Sequence, residues 1–523
     1  MRRRDLLKLI GSVAGSSVMY QAMTTLGLSA ESTYSGPIAL DGNPKNASVL
    51  ILGAGLAGMV AALELRNAGY KVQVLEYQQR AGGRCWTIRG GDRYTELGGA
   101  EQVCGFDKDL YLNPGPWRIP SHHHGVIDYC KRLGVGLEPF VQVNYNAYVH
   151  GKNAFGGKPQ RFRHLKADFE GGIAELLAKV TSQKKLDEVV SADDKALLLD
   201  ALRNWGALDE NYAYKAGPAA SGRRGYERDP GGGTMAEPID SEPMPFQQLL
   251  QSKVWQRLSD GDQYYHHSAI FQPVGGMDMI AKGFERKVGD LIRFGAKVTE
   301  INQTDKGVTV AYVDTSGGGA STTASADWCL CTIPLSVLGQ IKVNVGAPMA
   351  KAIAAVPYSP SFKIGLQFKR RFWEQDEEIY GGITTTDLPI GTIGYPNSGY
   401  GSGGKGVLLG GYAFGVHAYE FASLSPKDRI ARALEFGSQI HPQYTAEFDN
   451  GFSVAWHRVP WTLGCSGAWT DDLRKDHYKN LCALDGRILL AGEHASYIPA
   501  WQEGAILSSL DAVSRLHHRV LAT

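Results

Sequence analysis

The sequence predicts an α/β fold of more than one domain. A complete strand–helix–strand unit begins at Ser48, the composition is that of an ordinary globular chain, and 523 residues exceed one compact domain at roughly 100–200 residues each. Hydrophobic residues at 43% and charged residues at 20% exclude a mainly disordered, collagen-like or polytopic membrane protein. With 54 basic and 53 acidic residues the net charge is +1, so the excess of positive charge that marks a dedicated nucleic-acid binder is missing. Glycine is the outlier: 64 of 523 residues, about 12% against an average near 7%, without a collagen period. Such an excess points to tight turns around a ligand.

Residues 1–30 stand apart. Arg3 and Arg4 precede Asp5, Leu6, Leu7 and Lys8, and a weakly apolar stretch of small residues follows. The pattern resembles a twin-arginine export signal, and its apolar part is shorter than the roughly 20 residues that a membrane span needs. It predicts export to the periplasm or beyond, and no stable membrane span is expected elsewhere. Residues 31–46 read as a linker. The cysteines, at 85, 104, 130, 329, 331, 465 and 482, are scattered and odd in number, so no structural disulfide network is expected. Twin-arginine export carries folded proteins, often already loaded with a cofactor, which agrees with few cysteines.

The first folded unit carries the chemistry. Ser48-Val49-Leu50-Ile51-Leu52 is an apolar run typical of a buried parallel strand, and it runs straight into Gly53-Ala54-Gly55-Leu56-Ala57-Gly58. A helical pattern continues to about Ala68, Gly69 stops it, and Lys71-Val72-Gln73-Val74-Leu75 reads as the next strand, ending at Glu76. Gly53 permits the turn, Gly55 admits a pyrophosphate at the helix N-terminus, and Gly58 lets helix and strand pack closely. Leu56 and Ala57 supply the first helical amides, and Glu76 is placed to bind a ribose hydroxyl. NAD and FAD both fit this unit. Arg80-Ala81-Gly82-Gly83-Arg84 favours FAD, because Gly83 and Arg84 add a second backbone-plus-guanidinium clamp that nicotinamide folds do not generally carry. Glu96-Leu97-Gly98-Gly99-Ala100-Glu101 offers another glycine pair, with Gly99 and Ala100 as candidate cofactor contacts.

Other motifs are weaker. Three consecutive histidines, His122-His123-His124, point in different directions and lack zinc-like spacing, so they read as a helix start or a channel rim, and no metal is expected. Cys329 and Cys331 fall on one face of an apolar strand. No Gly-x-Ser-x-Gly elbow anchors a hydrolase triad.

Together these pieces resemble the flavin amine oxidase family, the monoamine oxidase and L-amino acid oxidase group, over most of the chain after the signal. The resemblance implies a discontinuous, Rossmann-like FAD-binding domain (47–115, 265–340 and 451–523), a helical substrate region (116–264) and a substrate-binding domain (341–450). Phe271-Gln272-Pro273-Val274-Gly275-Gly276-Met277, the strand 296–301 and a C-terminal piece would complete the FAD domain. Val298 would meet the adenine through its backbone, and Gly492 and Glu493 would close the site before a helix that opens at Trp501 and runs to about Leu521. Gly115-Pro116-Trp117-Arg118-Ile119-Pro120 resembles the motif whose arginine pairs with a substrate carboxylate in L-amino acid oxidases. Residues 102–114 look like extra sequence before it. Lys363 matches the lysine that holds a water against the flavin, Tyr412 a tyrosine that binds the carboxylate, and Trp456 a residue packed on the ring system. Ser466 and Trp501 stand where monoamine oxidases carry two cage tyrosines, which favours an amino acid over a simple amine. Cys465 falls where some monoamine oxidases attach FAD covalently, although a small buried cysteine is the commoner explanation.

The resemblance therefore implies oxidative deamination of an L-amino acid by FAD and O2, giving a 2-oxo acid, ammonia and hydrogen peroxide, in a homo-oligomer expected to be a dimer. Amine or polyamine oxidation, amino acid 2-monooxygenation and a non-catalytic FAD-binding partner stay open as alternatives.

Overall fold

The computed structural model describes residues 32–182, 191–266, 268–315 and 319–522. The expected export signal lies outside them. Among the described residues no helix is long and apolar enough to cross a membrane.

Five parallel strands form the cofactor-side sheet, in the order Ile292–Arg293, Lys71–Leu75, Ser48–Leu52, Trp328–Cys331, Ile488–Leu490. Alternation along Ser48–Leu52 explains why it is apolar throughout, since both faces of the strand are covered. Val49 and Ile51 pack with Met59 and Val60 of the helix Leu56–Asn67 and with Leu510 and Val513 of the helix Gln502–Leu521. Leu50 and Leu52 face the other way, onto Ile301, Val310 and Leu335. Cys329 and Cys331 share that second face while Leu330 takes the first, as their spacing predicts. A four-stranded sheet built on Ala296–Thr304 and Gly307–Asp314 covers this side.

The substrate-side sheet has seven strands, in the order Gln160–Arg161, Tyr148–His150, Ile383–Thr386, Thr392–Gly394, Gly406–Phe414, Ser361–Phe368, Phe448–Ala455. All eight residues of Ser361–Phe368 are buried, yet the strand reads in two registers. Phe362, Ile364, Leu366 and Phe368 enter an apolar core with Trp373 and Phe421. The alternate residues Ser361, Lys363, Gly365 and Gln367 face the opposite way, and that face looks onto the cofactor side. A helical layer, with Phe162–Ser182 packed on Ala192–Gly206 and Pro218–Arg224, lies beyond the sheet and is pinned by the buried pair Arg224–Asp168 at 2.8 Å.

Three features differ from the expectation. Residues 32–46 are no free linker: Tyr34, Ile38 and Leu40 pack on the main core, and the Asp41 carbonyl lies 3.0 Å from His517 Nε2. The boundary at 450/451 cuts through the strand Phe448–Ala455, which belongs wholly to the substrate-side sheet. The boundary at 340 falls short as well, because Lys342–Val343 pairs with the strand Ala296–Thr304 and Met349, Ala352 and Ile353 pack in the cofactor-side core. Local pattern locates a strand, whereas the sheet it joins is decided by contacts far along the chain.

Candidate active site

The two glycine motifs form one crevice wall. Gly53 turns the chain at φ +101°, which an L side chain rarely adopts, and its amide donates to the Leu75 carbonyl at 2.8 Å. A Cβ on Gly58 would lie 1.9 Å from the Gly53 carbonyl oxygen, so only glycine lets the helix start this close to the strand. At Gly55, by contrast, a Cβ would meet nothing within 4 Å. That open side lies at the N-terminus of the helix that starts with Leu56 and Ala57, where the first amides lack intrahelical acceptors and favour an anion. The second motif docks directly on the first: Gly82 donates to the Ala54 carbonyl at 2.8 Å, and a Cβ on Gly83 would sit 3.3 Å from Gly55 Cα.

Charged groups ring this wall. Glu76 is buried and accepts from the Ala54 and Gln78 amides at 2.7 and 2.8 Å, and burial pushes its carboxyl up. Arg84 donates to Glu493 at 2.7 Å and to the Cys465 carbonyl at 2.7 Å. Burial by itself would raise the Glu493 carboxyl, but Arg84 and His494 hold it below its ordinary value. Glu493 also accepts from the Ala500 amide at 3.1 Å, tying this corner to the turn that opens the C-terminal helix. Gly492, at φ +136°, allows that approach. Val298 is buried near the start of its strand, where the ladder with Gly307–Asp314 slips between Val298 and Glu300, and Ala296 donates to the Glu76 carbonyl at 2.8 Å. A crevice open at Gly55, helix amides for a pyrophosphate, and a buried carboxylate for a ribose fit FAD.

Gly99 and Ala100 do not join this crevice. They lie at the exposed turn of the hairpin Arg93–Thr95/Glu101–Val103, and the neighbouring Gly98 packs on Arg458. The root of the turn is held by Glu96, which pairs with the fully buried Arg429 at 2.7 Å. A glycine pair announces a tight turn without saying what the turn faces.

The end of the stretch read as extra sequence, Asn113 and Pro114, and Gly115 just after it close on the site through their carbonyls. Lys363, buried on the polar face of its strand, donates to the Gly115 carbonyl at 2.6 Å and the Asn113 carbonyl at 3.3 Å. Trp456, also buried, donates its indole N–H to the Pro114 carbonyl at 2.7 Å. A Cβ on Gly115 would lie 1.9 Å from the Arg84 carbonyl oxygen, so this segment runs directly against the second glycine motif. Desolvation pushes the Lys363 ammonium down to about 7, with Arg118 adding to it and Cys465 opposing.

Four expected residues converge around one that was not expected, Trp117. Lys363 pairs across the ladder with Tyr412 and places Nζ 4.5 Å from the Tyr412 ring centre and 5.4 Å from that of Trp117. Arg118 lies 5.6 Å from the Trp117 ring and 5.9 Å from the Trp501 ring. Trp117 also stands edge-on to Tyr412 at 6.3 Å and to Phe140 at 5.2 Å. Trp501 stacks on Tyr265 at 5.5 Å and meets His123 edge-on at 4.9 Å, and a helix starts at His124, the last residue of the histidine run. Asn113, Gly115, Trp117 and His266, whose Nε2 lies 2.7 Å from Arg118, were missed as site residues. The Gly-Pro-Trp-Arg run was the available signal for Gly115 and Trp117, and nothing local marked Asn113.

Comparison with known proteins bears on this geometry. A family model described as flavin containing amine oxidoreductase matches residues 56–517. An L-amino-acid oxidase of Sistrurus catenatus edwardsii is 30% identical over 486 residues, covering 90% of this chain and 86% of that protein. Cyclohexylamine oxidase from Brevibacterium oxydans IH-35A shares the fold at TM-score 0.59 and 15% identity, over 91% of this chain and 100% of that one. Wild-type putrescine oxidase bound to putrescine does so at TM-score 0.57 and 17% identity, over 91% and 99%. The family match spans most of the chain that carries this crevice, and the chain belongs to the flavin-containing amine oxidoreductase family.

Proposed function

We propose that the protein oxidises L-α-amino acids to 2-oxo acids, releasing ammonia and passing the electrons to O2 as hydrogen peroxide. The observation that carries this reading is Arg118, a guanidinium held between Trp117 and Trp501 beside the Lys363–Tyr412 pair. A planar guanidinium fixes both oxygens of a carboxylate and so orients the carbon next to it, a demand that a simple amine does not make. The L-amino-acid oxidase name of the Sistrurus relative supports the same choice.

FAD, held by the Gly53–Gly58 turn, Glu76 and the Arg84–Glu493 corner, would supply the two-electron oxidation of the substrate and the return of those electrons to O2. The remaining work falls to this chain. Arg118 grips the carboxylate and the Tyr412 hydroxyl donates to it. Trp117, Trp501 and Tyr265 wall the pocket and keep bulk water from it. Lys363, with its proton affinity brought close to neutrality, sits where it can hold a water or exchange a proton during oxygen reduction and imine hydrolysis.

The test is anaerobic. The yellow protein is titrated with a panel of L-amino acids and of amines while flavin absorbance is followed. Bleaching by amino acids, lost in Arg118→Ala, is the expected result. Bleaching by amines alone would overturn the carboxylate role of Arg118, and bleaching by neither would overturn the catalytic reading.

A further inference from the structure

We propose that His266 is the positioning residue of Arg118: its imidazole aims the guanidinium while leaving the positive charge to the substrate carboxylate. This rests on the amino acid reading of the site.

The geometry begins with the backbone. The short strand Ile119–Pro120 pairs antiparallel with Ile270–Pro273, and Ser121 donates to the Ala269 carbonyl at 3.0 Å. A turn closed by the His266 amide on the Gln263 carbonyl at 2.8 Å then folds the chain back. It brings His266 Nε2 to 2.7 Å from Arg118 Nη2, across 148 residues of sequence. The same turn presents Tyr265 to Trp501, so one element sets both an acceptor for Arg118 and a ring packed on its neighbour Trp501.

The chemistry of the acceptor matters. Arginine only donates, so the His266 nitrogen that faces it must carry a lone pair. Burial pushes the imidazole down to about 3, with the Arg118 charge adding to it and the Asp260 backbone opposing, so the ring stays an acceptor at any working pH. The Asp260 carboxyl, which senses Arg257 and Arg118, is itself pushed up by burial. Three buried arginines among the described residues are met by carboxylates, Arg429 by Glu96, Arg224 by Asp168 and Arg371 by Glu374, whereas the half-buried Arg118 meets an imidazole at Nη2. Those pairs neutralise their arginines, which suits a structural tie. A carboxylate at 266 would do the same to Arg118 and compete with the substrate for it.

The test uses holoenzyme and a readout that needs no turnover. Dissociation constants for benzoate and for benzamide, its uncharged counterpart, are taken from the perturbation of flavin absorption in the parent, His266→Asp, His266→Gln, His266→Ala and Arg118→Lys proteins. His266→Asp is expected to weaken benzoate roughly tenfold or more, the scale of one charge-assisted hydrogen bond, and to leave benzamide unchanged. The loss should recover as pH falls and the new carboxyl is protonated, which a merely structural defect would not do. His266→Gln, which retains an acceptor, should stay within about threefold of the parent. With an L-amino acid substrate, KM should rise in His266→Asp while kcat holds. Should His266→Asp fail to retain flavin, His266→Ala is read in its place, with looser benzoate and unchanged benzamide expected. Equal losses for benzoate and benzamide, or benzoate affinity indifferent to position 266, would overturn the inference. If Arg118→Lys weakens benzoate and the His266 variants do not, this inference alone falls. If Arg118→Lys is also without effect, the amino acid reading falls with it.

Discussion

Gly115→Ala is the substitution with the most localised geometric consequence. The added methyl would lie 1.9 Å from the Arg84 carbonyl oxygen, whereas carbon–oxygen contacts settle at about 3.3–3.6 Å, so the two segments must part by roughly 1.4 Å or more. Neither side yields cheaply. Arg84 is tied to Glu493 and to the Cys465 carbonyl, while the Pro114 and Gly115 carbonyls hold Trp456 and Lys363. Gly115 does not occupy the left-handed region, so crowding is the whole effect. The displaced segment leads into Trp117 and Arg118, and a misplacement of about 1 Å at a reacting centre costs on the order of 100-fold in rate. Overpacking should lower stability by about 1–3 kcal/mol, too little to unfold a chain of this size. The assay is anaerobic stopped-flow reduction of the flavin by an accepted L-amino acid, with flavin content and circular dichroism as checks on folding. Gly222→Ala, where the methyl meets nothing within 4 Å, serves as the control and should react like the parent. A Gly115→Ala protein with parental kcat/KM would refute the placement of this segment against Arg84.

Three further outcomes are expected. Gly58→Ala drives a methyl to 1.9 Å from the Gly53 carbonyl oxygen, so the purified protein should emerge largely free of flavin, measured as the absorbance ratio of flavin to protein; full occupancy would contradict the crevice described. Glu493→Gln keeps one acceptor oxygen for either the Ala500 or the Gly467 amide, sets an NH2 donor against the other, and strips Arg84 of its charge partner. A lowered apparent Tm and a raised FAD dissociation constant, read by flavin fluorescence, are the expected result, on a scale of up to about 3–5 kcal/mol for a broken buried pair. Lys363→Met tests a burial penalty whose sign follows from the direction of the shift. The unfolded lysine keeps its proton to about 10.5 and the folded one only to about 7, so between these values the unfolded state binds the extra proton and stability rises with pH. Below pH 7 the charged, buried lysine costs at most about 5 kcal/mol, from 3.5 pK units at about 1.4 kcal/mol each. The Tm advantage of Lys363→Met over the parent should therefore be largest near pH 6 and shrink toward pH 10. A difference that does not vary with pH would show that Lys363 is not desolvated.

What the sequence made legible, and what it hid, divides along one physical line. Ser48–Leu52, Lys71–Leu75 and the helix to Leu521 occur where local pattern puts them, because a continuous apolar run, a glycine stop and a helical stripe act within a few residues. The candidate chemical groups were legible too, since gripping a carboxylate requires a guanidinium and close approach to a pyrophosphate requires glycine. Their company was not. Lys363 meets Tyr412 only through a ladder register, and it meets Gly115 only because the serine, lysine, glycine and glutamine of its strand turn away from the phenylalanine core. The stretch 102–114 looked like an insertion because nothing local shows Phe106 and Leu112 closing over Gly365, the strand position two beyond Lys363. The same blindness made Gly99 and Ala100 candidates, for their local signature equals that of Gly82 and Gly83, and only the partner that each turn meets separates them: Arg458 for the first and Gly55 for the second. Residue type thus announces what chemistry is available, and long-range packing decides which of the announced groups stand together. A site residue such as His266 becomes visible only at the second step, when its strand has been paired and its turn folded over Arg118.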